Sequence, residues 1–174
     1  MKQIVAGLIA ALTIVAAPAY PASADPVELD DAGLKQMLEN MGYAPTEYAY
    51  STGSKYFSIS EGQADLSWTL DFSQGADLVW AVIDYPQLED GQTFPDGVLL
   101  QTLAENDGPK YWHFVYLTNS RQLRLAGNIL NRDLKPSDLK TMIDEAVAIS
   151  SRTQSLWDPT KWIVEASEAK SAAE

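Results

Sequence analysis

At 174 residues the chain has room for one ordinary domain with a proper core. Its 24 acidic against 12 basic residues, a net charge of -12, argue against nucleic acid or an anionic membrane surface as partner. With no cysteine and one histidine, it excludes thiol nucleophiles, haem attachment through Cys-x-x-Cys-His, thiolate zinc sites and multi-histidine metal centres.

The chain opens MKQIVAGLIAALTIVAAPAYPASADP, with Lys2, an apolar run from Ile4 to Ala17 and the small-residue triplet Ala22-Ser23-Ala24. That order is a secretory signal peptide, so residues 1–24 are expected to be removed and the rest exported to the periplasm. The run is shorter than the roughly 20 residues that span a bilayer. No later segment is long and apolar enough, so no membrane span is expected after cleavage. Without disulfides, core packing and hydrogen bonds must hold an exported fold unaided.

In DDAGLKQMLENMGY, Leu34, Met37, Leu38 and Met41 take the i, i+3, i+4, i+7 positions of an amphipathic helix. Asp30 or Asp31 can cap its start and Gly42 its end. From Pro45 to Tyr85 the period switches to two: Trp68, Leu70 and Phe72 alternate with Ser67, Thr69 and Asp71. TEYAYS, KYFSIS, ADLSWTLDF and DLVWAVIDY read as four strands. The breaks between them, Thr52-Gly53, Glu61-Gly62 and Gln74-Gly75, suit the tight turns of an antiparallel meander.

After the polar loop PQLEDGQTFPDG, Val98, Leu99, Leu100 and Leu103 predict a second short helix, capped by Asp96 and stopped by Gly108. KYWHFVYL and QLRLAGNIL then form a hairpin through Thr118 to Arg121. A last helix starts at Pro136, carries Leu139, Met142, Ile143, Ala146 and Ile149 on one face, and ends near Trp157. Residues 25–158 thus make a single α+β domain of order α-β-β-β-β-α-β-β-α, an antiparallel sheet with helices packed on one face. Residues 159–174 are expected to be a mobile or loosely helical tail, with little to bury beyond Trp162, Ile163 and Val164.

Motifs of committed chemistry are missing. His113 has no evident nucleophile and reads as structural. Ser137-Asp138-Leu139-Lys140 matches S-x-x-K, yet S-D-N and K-T-G are absent and helix initiation explains it. Asp84, Glu89, Asp90 and Asp96 crowd one loop without the spacing of a calcium-binding EF-hand, and 24 acids offer too many pairs for a glycosidase reading to be informative. No catalytic residue, metal or cofactor is therefore assigned. A carboxylate-dependent hydrolase built on the 84–96 loop, and a small-ligand carrier, stand as alternatives to a binding role.

Aromatic residues carry the remaining signal, with five tryptophans and eight tyrosines. In strands they more often fill the core than form a sugar- or peptide-binding platform. Both faces of DLVWAVIDY and of KYWHFVYL are apolar, whereas a sheet covered on one side needs one wet face. A homodimer interface, a protein partner or the tail is expected to cover the second face, with Trp80, Trp112, Phe114 and Tyr116 as the partner surface.

The element order, with LKQMLENMGY opening it, LLQTLAEN leading into YWHFVYLTNSRQLRLAG and LKPSDLKTMIDEAV closing it, resembles the YbjN family of bacterial proteins, described as sensory transduction regulators. The resemblance implies the fold class shared with type III secretion chaperones and a module that dimerises or holds a protein segment. No catalytic residue transfers from it. The function expected is an exported, non-enzymatic, chaperone-like or regulatory binding module.

Overall fold

A computed structural model describes residues 27–63, 66–75 and 77–162. The expected signal peptide and residues 163–174 of the expected tail lie outside the described residues. The elements are α1 (Asp31–Asn40), β1 (Thr46–Ala49), β2 (Lys55–Gln63), β3 (Leu66–Gln74), β4 (Leu78–Gln87), α2 (Asp96–Ala104), a 3₁₀ turn (Glu105–Asp107), β5 (Trp112–Leu117), β6 (Gln122–Leu130), α3 (Pro136–Arg152) and α4 (Gln154–Trp157). The fold is α+β, with six antiparallel strands in one sheet of order β1-β2-β3-β4-β6-β5.

Helix ends follow local chemistry. The Asp30 carboxylate accepts from the Gly33 amide at 2.7 Å and starts α1. Gly42, at φ +93, ends it in the left-handed region that favours glycine. α3 starts on Pro136 with no side-chain cap, as Lys135 in the preceding position implies. The Asp96 cap expected for α2 is not formed: Pro95 holds the cap position and Asp96 lies inside the first turn.

Strand alternation selects one buried face. Phe57, Ile59, Trp68, Leu70, Phe72, Val79, Ala81, Ile83, Trp112, Phe114, Leu123 and Leu125 point to one side, where Leu34 and Leu38 of α1 and Leu139, Met142, Ile143, Ala146 and Ile149 of α3 cover them. Burying each such side chain contributes roughly 1.5–3 kcal/mol. β4 runs two residues beyond the expected Tyr85 because a bulge between Asp84 and Gln87 admits Pro86. The first residues of the expected tail, 159–162, are helical, and Trp162 lies 4.8 Å from Phe94 between ring centres.

Beneath α3 and α4, the Tyr85 hydroxyl and Ser150 share a buried hydrogen bond of 2.7 Å, and the Tyr85 ring stacks on Trp157 at 4.7 Å. Burial pushes the Tyr85 phenol well above the usual tyrosine range, with the Ser150 bond acting weakly the other way. Because the folded value is raised, this contribution is complete below the unfolded value near 10 and is lost as pH climbs towards the folded one. Tyr85→Phe combined with Ser150→Ala removes both hydroxyls together and leaves neither unsatisfied. The double variant is expected to stay within about 1 kcal/mol of the parent at pH 7 and to unfold at a higher alkaline pH. Near-ultraviolet circular dichroism against pH checks this; an unchanged alkaline midpoint counts against it.

Candidate functional site

Among the described residues two surfaces combine exposed aromatic or aliphatic side chains with a pocket, and they lie on different parts of the fold. The first is the sheet face that points away from α1 and α3. Register places Tyr48 beside Tyr56, Ser58 beside Asp71, Asp71 beside Val82, Ser73 beside Trp80, and Asp84 beside Arg124. Tyr48 and Tyr56 stack at 5.1 Å, and Tyr50, from the turn after β1, tilts against Tyr56 at 4.8 Å. Trp80 is 43% exposed. The Arg124 guanidinium grips Asp84 with two bonds, Nε to Oδ1 at 2.6 Å and Nη2 to Oδ2 at 2.8 Å.

Between these groups lies a pocket of about 240 Å³, lined by Tyr50, Tyr56, Asp71, Ser73, Trp80, Val82, Asp84 and Arg124. Its electrostatics are set by the two carboxylates. The bond from Asp84 holds the Arg124 guanidinium above its ordinary range against partial burial. Desolvation, then the charge of Asp71, push the Tyr56 phenol up. The Asp71 Oδ1 atom is buried and has no hydrogen-bond partner.

The second surface runs along α2 and the β5 edge. Leu100 and Leu103 are 71% and 68% exposed, and Leu99 joins them. With Phe114, Tyr116 and Leu123 they line an apolar groove of about 240 Å³. Two of its polar neighbours are already hydrogen-bonded. The Thr102 hydroxyl donates to the Val98 carbonyl at 2.7 Å. The Asn106 side chain accepts from the Phe114 amide at 2.6 Å and donates to the Phe114 carbonyl at 3.3 Å, standing where a neighbouring strand would. β5 is an edge strand, and this amide occupies the middle of its open side.

The expected four-residue partner surface divides between these places and the core. Trp80 is on the outer sheet face and Tyr116, 40% exposed, borders the α2 groove. Trp112, 2% exposed, is a core residue and a correction to that expectation, while Phe114, 7% exposed, packs in the core and also lines the α2 groove. Parity is the reason: Trp112 pairs with Gly127 and Phe114 with Leu125, whose sides face α3. The outward row of β5 carries exposed His113, which pairs with Ala126.

The remaining sequence candidates are dispersed. Lys140 is ion-paired with Asp144, one turn along α3, and the Ser137 carbonyl accepts from Thr141 at 2.8 Å. Asp84 is bound by Arg124, and Asp90 by Arg121 at 3.0 Å. Among the described residues no three histidine, cysteine, aspartate or glutamate side chains are grouped to hold a metal ion. No described helix is long and apolar enough to cross a membrane. Comparison with protein-family models, curated proteins and solved structures finds no match for this chain.

Proposed function

We propose that this chain is an exported, non-enzymatic binding module of the YbjN type, with a type III secretion chaperone-like fold, that holds an apolar segment of a protein partner. One observation carries the reading: leucines 100 and 103 stand in solvent beside an apolar groove whose polar neighbours, Thr102 and Asn106, are already hydrogen-bonded. A patch lined mostly by apolar side chains favours protein contact over small polar molecules. Asn106 also blocks sheet extension at the middle of β5, so the partner would dock through side chains, as a helix does in a groove, and not by adding a strand.

A photo-crosslinking residue in place of Leu103 is expected to capture a defined partner in cells, and the same residue at Ser58 on the outer sheet face is not. Leu100→Asp is expected to weaken the interaction about tenfold or more, given the apolar area one leucine buries. Its stability should stay within about 0.5 kcal/mol, as for an exposed site. A crosslinked species of twice the chain mass would make the partner a second copy. Equal capture from both positions, or none from Leu103, counts against the reading.

A further inference from the structure

We propose that the pocket on the outer sheet face binds a neutral pyranose ring, so that the protein recognises carbohydrate at a site separate from the α2 groove. The pocket combines three features that a sugar ring answers together. Its aromatic walls, Tyr50, Tyr56 and Trp80, present flat apolar faces, two of them on residues that are largely exposed to water. A pyranose offers matching patches of C–H groups on its faces. Asp71 contributes a carboxylate to the lining, one oxygen of which, Oδ1, has no hydrogen-bond partner. A carboxylate that lines a pocket favours a ligand with donors, and sugar hydroxyls supply them. At the far end stands a guanidinium with five N–H groups, of which Asp84 takes two, one from Nε and one from Nη2.

Other ligand classes fit less well. An ammonium would meet Arg124, whose charge offsets Asp84 and leaves only Asp71 to attract it. An anion would face Asp71, with the charge of Arg124 already offset by Asp84. A wholly apolar ligand would cover the charged Asp71 carboxylate without offering it a donor. The ring of hydroxyls on a sugar can donate to Asp71 and accept from Arg124 in one pose, because its polar groups lie at the rim and its apolar ones on the faces. At about 240 Å³ the pocket is smaller than the roughly 300–1,000 Å³ of drug-sized sites, which suits one ring and not an extended molecule. It opens on the sheet face, so further units of a chain could continue over Tyr48 beside Tyr56.

The site lies apart from the α2 groove, and the test keeps the two proposals separate. Saturation-transfer NMR and tryptophan fluorescence are measured on the full chain with the methyl pyranosides of glucose, galactose, mannose and N-acetylglucosamine. The corresponding tetrasaccharides, n-butylammonium and acetate complete the panel. At least one pyranoside is expected to bind, and Trp80→Ala and Asp71→Asn are each expected to weaken it about tenfold or more. Leu100→Asp is expected to bind it as the parent does. Tighter binding of the tetrasaccharide identifies a glycan chain as the source, and equal binding a free sugar. Should Trp80→Ala fail to fold, Tyr50→Ala from the turn after β1 carries the same comparison. The proposal is overturned if no pyranoside or tetrasaccharide binds, if binding survives both substitutions, or if only n-butylammonium or acetate occupies the pocket.

Discussion

Gly127→Ala is expected to lower the unfolding free energy by about 2–5 kcal/mol, a large share of the roughly 5–15 kcal/mol that holds a domain together. A Cβ at this position would lie 2.7 Å from two ring atoms of Trp112 and 3.0 Å from the Met142 methyl. Glycine is needed here for space, since its backbone is not among the left-handed residues. The methionine end can yield, but the indole is fixed. Its Nε1 donates to the Met142 carbonyl at 2.8 Å inside the core, so tilting the ring away loses a buried hydrogen bond as well as packing. The gain in strand stability from replacing glycine, about 0.5–1 kcal/mol, is too small to compensate. Urea unfolding measures the loss. In the background of Trp112→Phe the same alanine should cost clearly less, because the smaller ring vacates the contested volume. Additive losses would place the cost elsewhere.

How much of this was legible beforehand depends on the range of the signal. α1 and α3 follow from apolar residues spaced at 3.6, and β3 from the alternation of Trp68, Leu70 and Phe72 with Thr69 and Asp71. These are local patterns, and side chains alone determine them. The apolar residues Val98, Leu99, Leu100 and Leu103 predict α2 as a helix without saying which way it faces. Only Thr102 is fully buried there, since Leu100 and Leu103, three residues apart, share a face directed to solvent. An apolar helix in sequence is as consistent with a docking face as with a core face, and composition does not separate them. The position of β6 between β4 and β5 depends on long-range pairing, for which a single sequence carries no local mark.

The outer-face pocket shows the same limit more sharply. Tyr50 comes from the turn after β1, Asp71 from β3, Trp80 and Asp84 from β4 and Arg124 from β6, and they meet only through register. A shift of one residue in any strand would send its members to the core side. A partial signal was present: the row Leu78, Trp80, Val82 ends in Asp84, while Val79, Ala81, Ile83 and Tyr85 stay apolar throughout. The charged end identifies the outward row. Applied to β5, the same rule takes His113 as the mark of the outward row and leaves Trp112 and Phe114 to the core, which is where they lie.

Asn131→Ala is expected to cost about 2–4 kcal/mol, more than any single surface ion pair in this protein could supply. Asn131 is fully buried at the end of β6, and its amide joins three parts of the chain. Its Oδ1 accepts from the Leu29 amide at 3.0 Å, and its Nδ2 donates to the Leu29 carbonyl at 2.9 Å and to the Gly75 carbonyl at 3.3 Å. Its own backbone amide donates to Asp77 at 2.9 Å. The segment leading into α1, the β3–β4 turn and the end of β6 are thereby fastened by one side chain. Alanine leaves the Leu29 amide and carbonyl without these partners, while the Gly75 carbonyl keeps the bond from the Gln74 side chain at 2.6 Å. Asn131→Asp keeps the acceptor but turns the donor, which faces two carbonyls, into a second carboxylate oxygen. Burial and those carbonyls would raise its folded carboxyl above the unfolded value near 3.9, so this variant gains stability relative to the parent as pH falls from 7 towards 5. Urea unfolding at both pH values, with hydrogen exchange at Leu29 read alongside, tests the clamp. An alanine variant within about 0.5 kcal/mol of the parent, or an aspartate variant whose deficit does not shrink on acidification, would show that the two segments are held by something else.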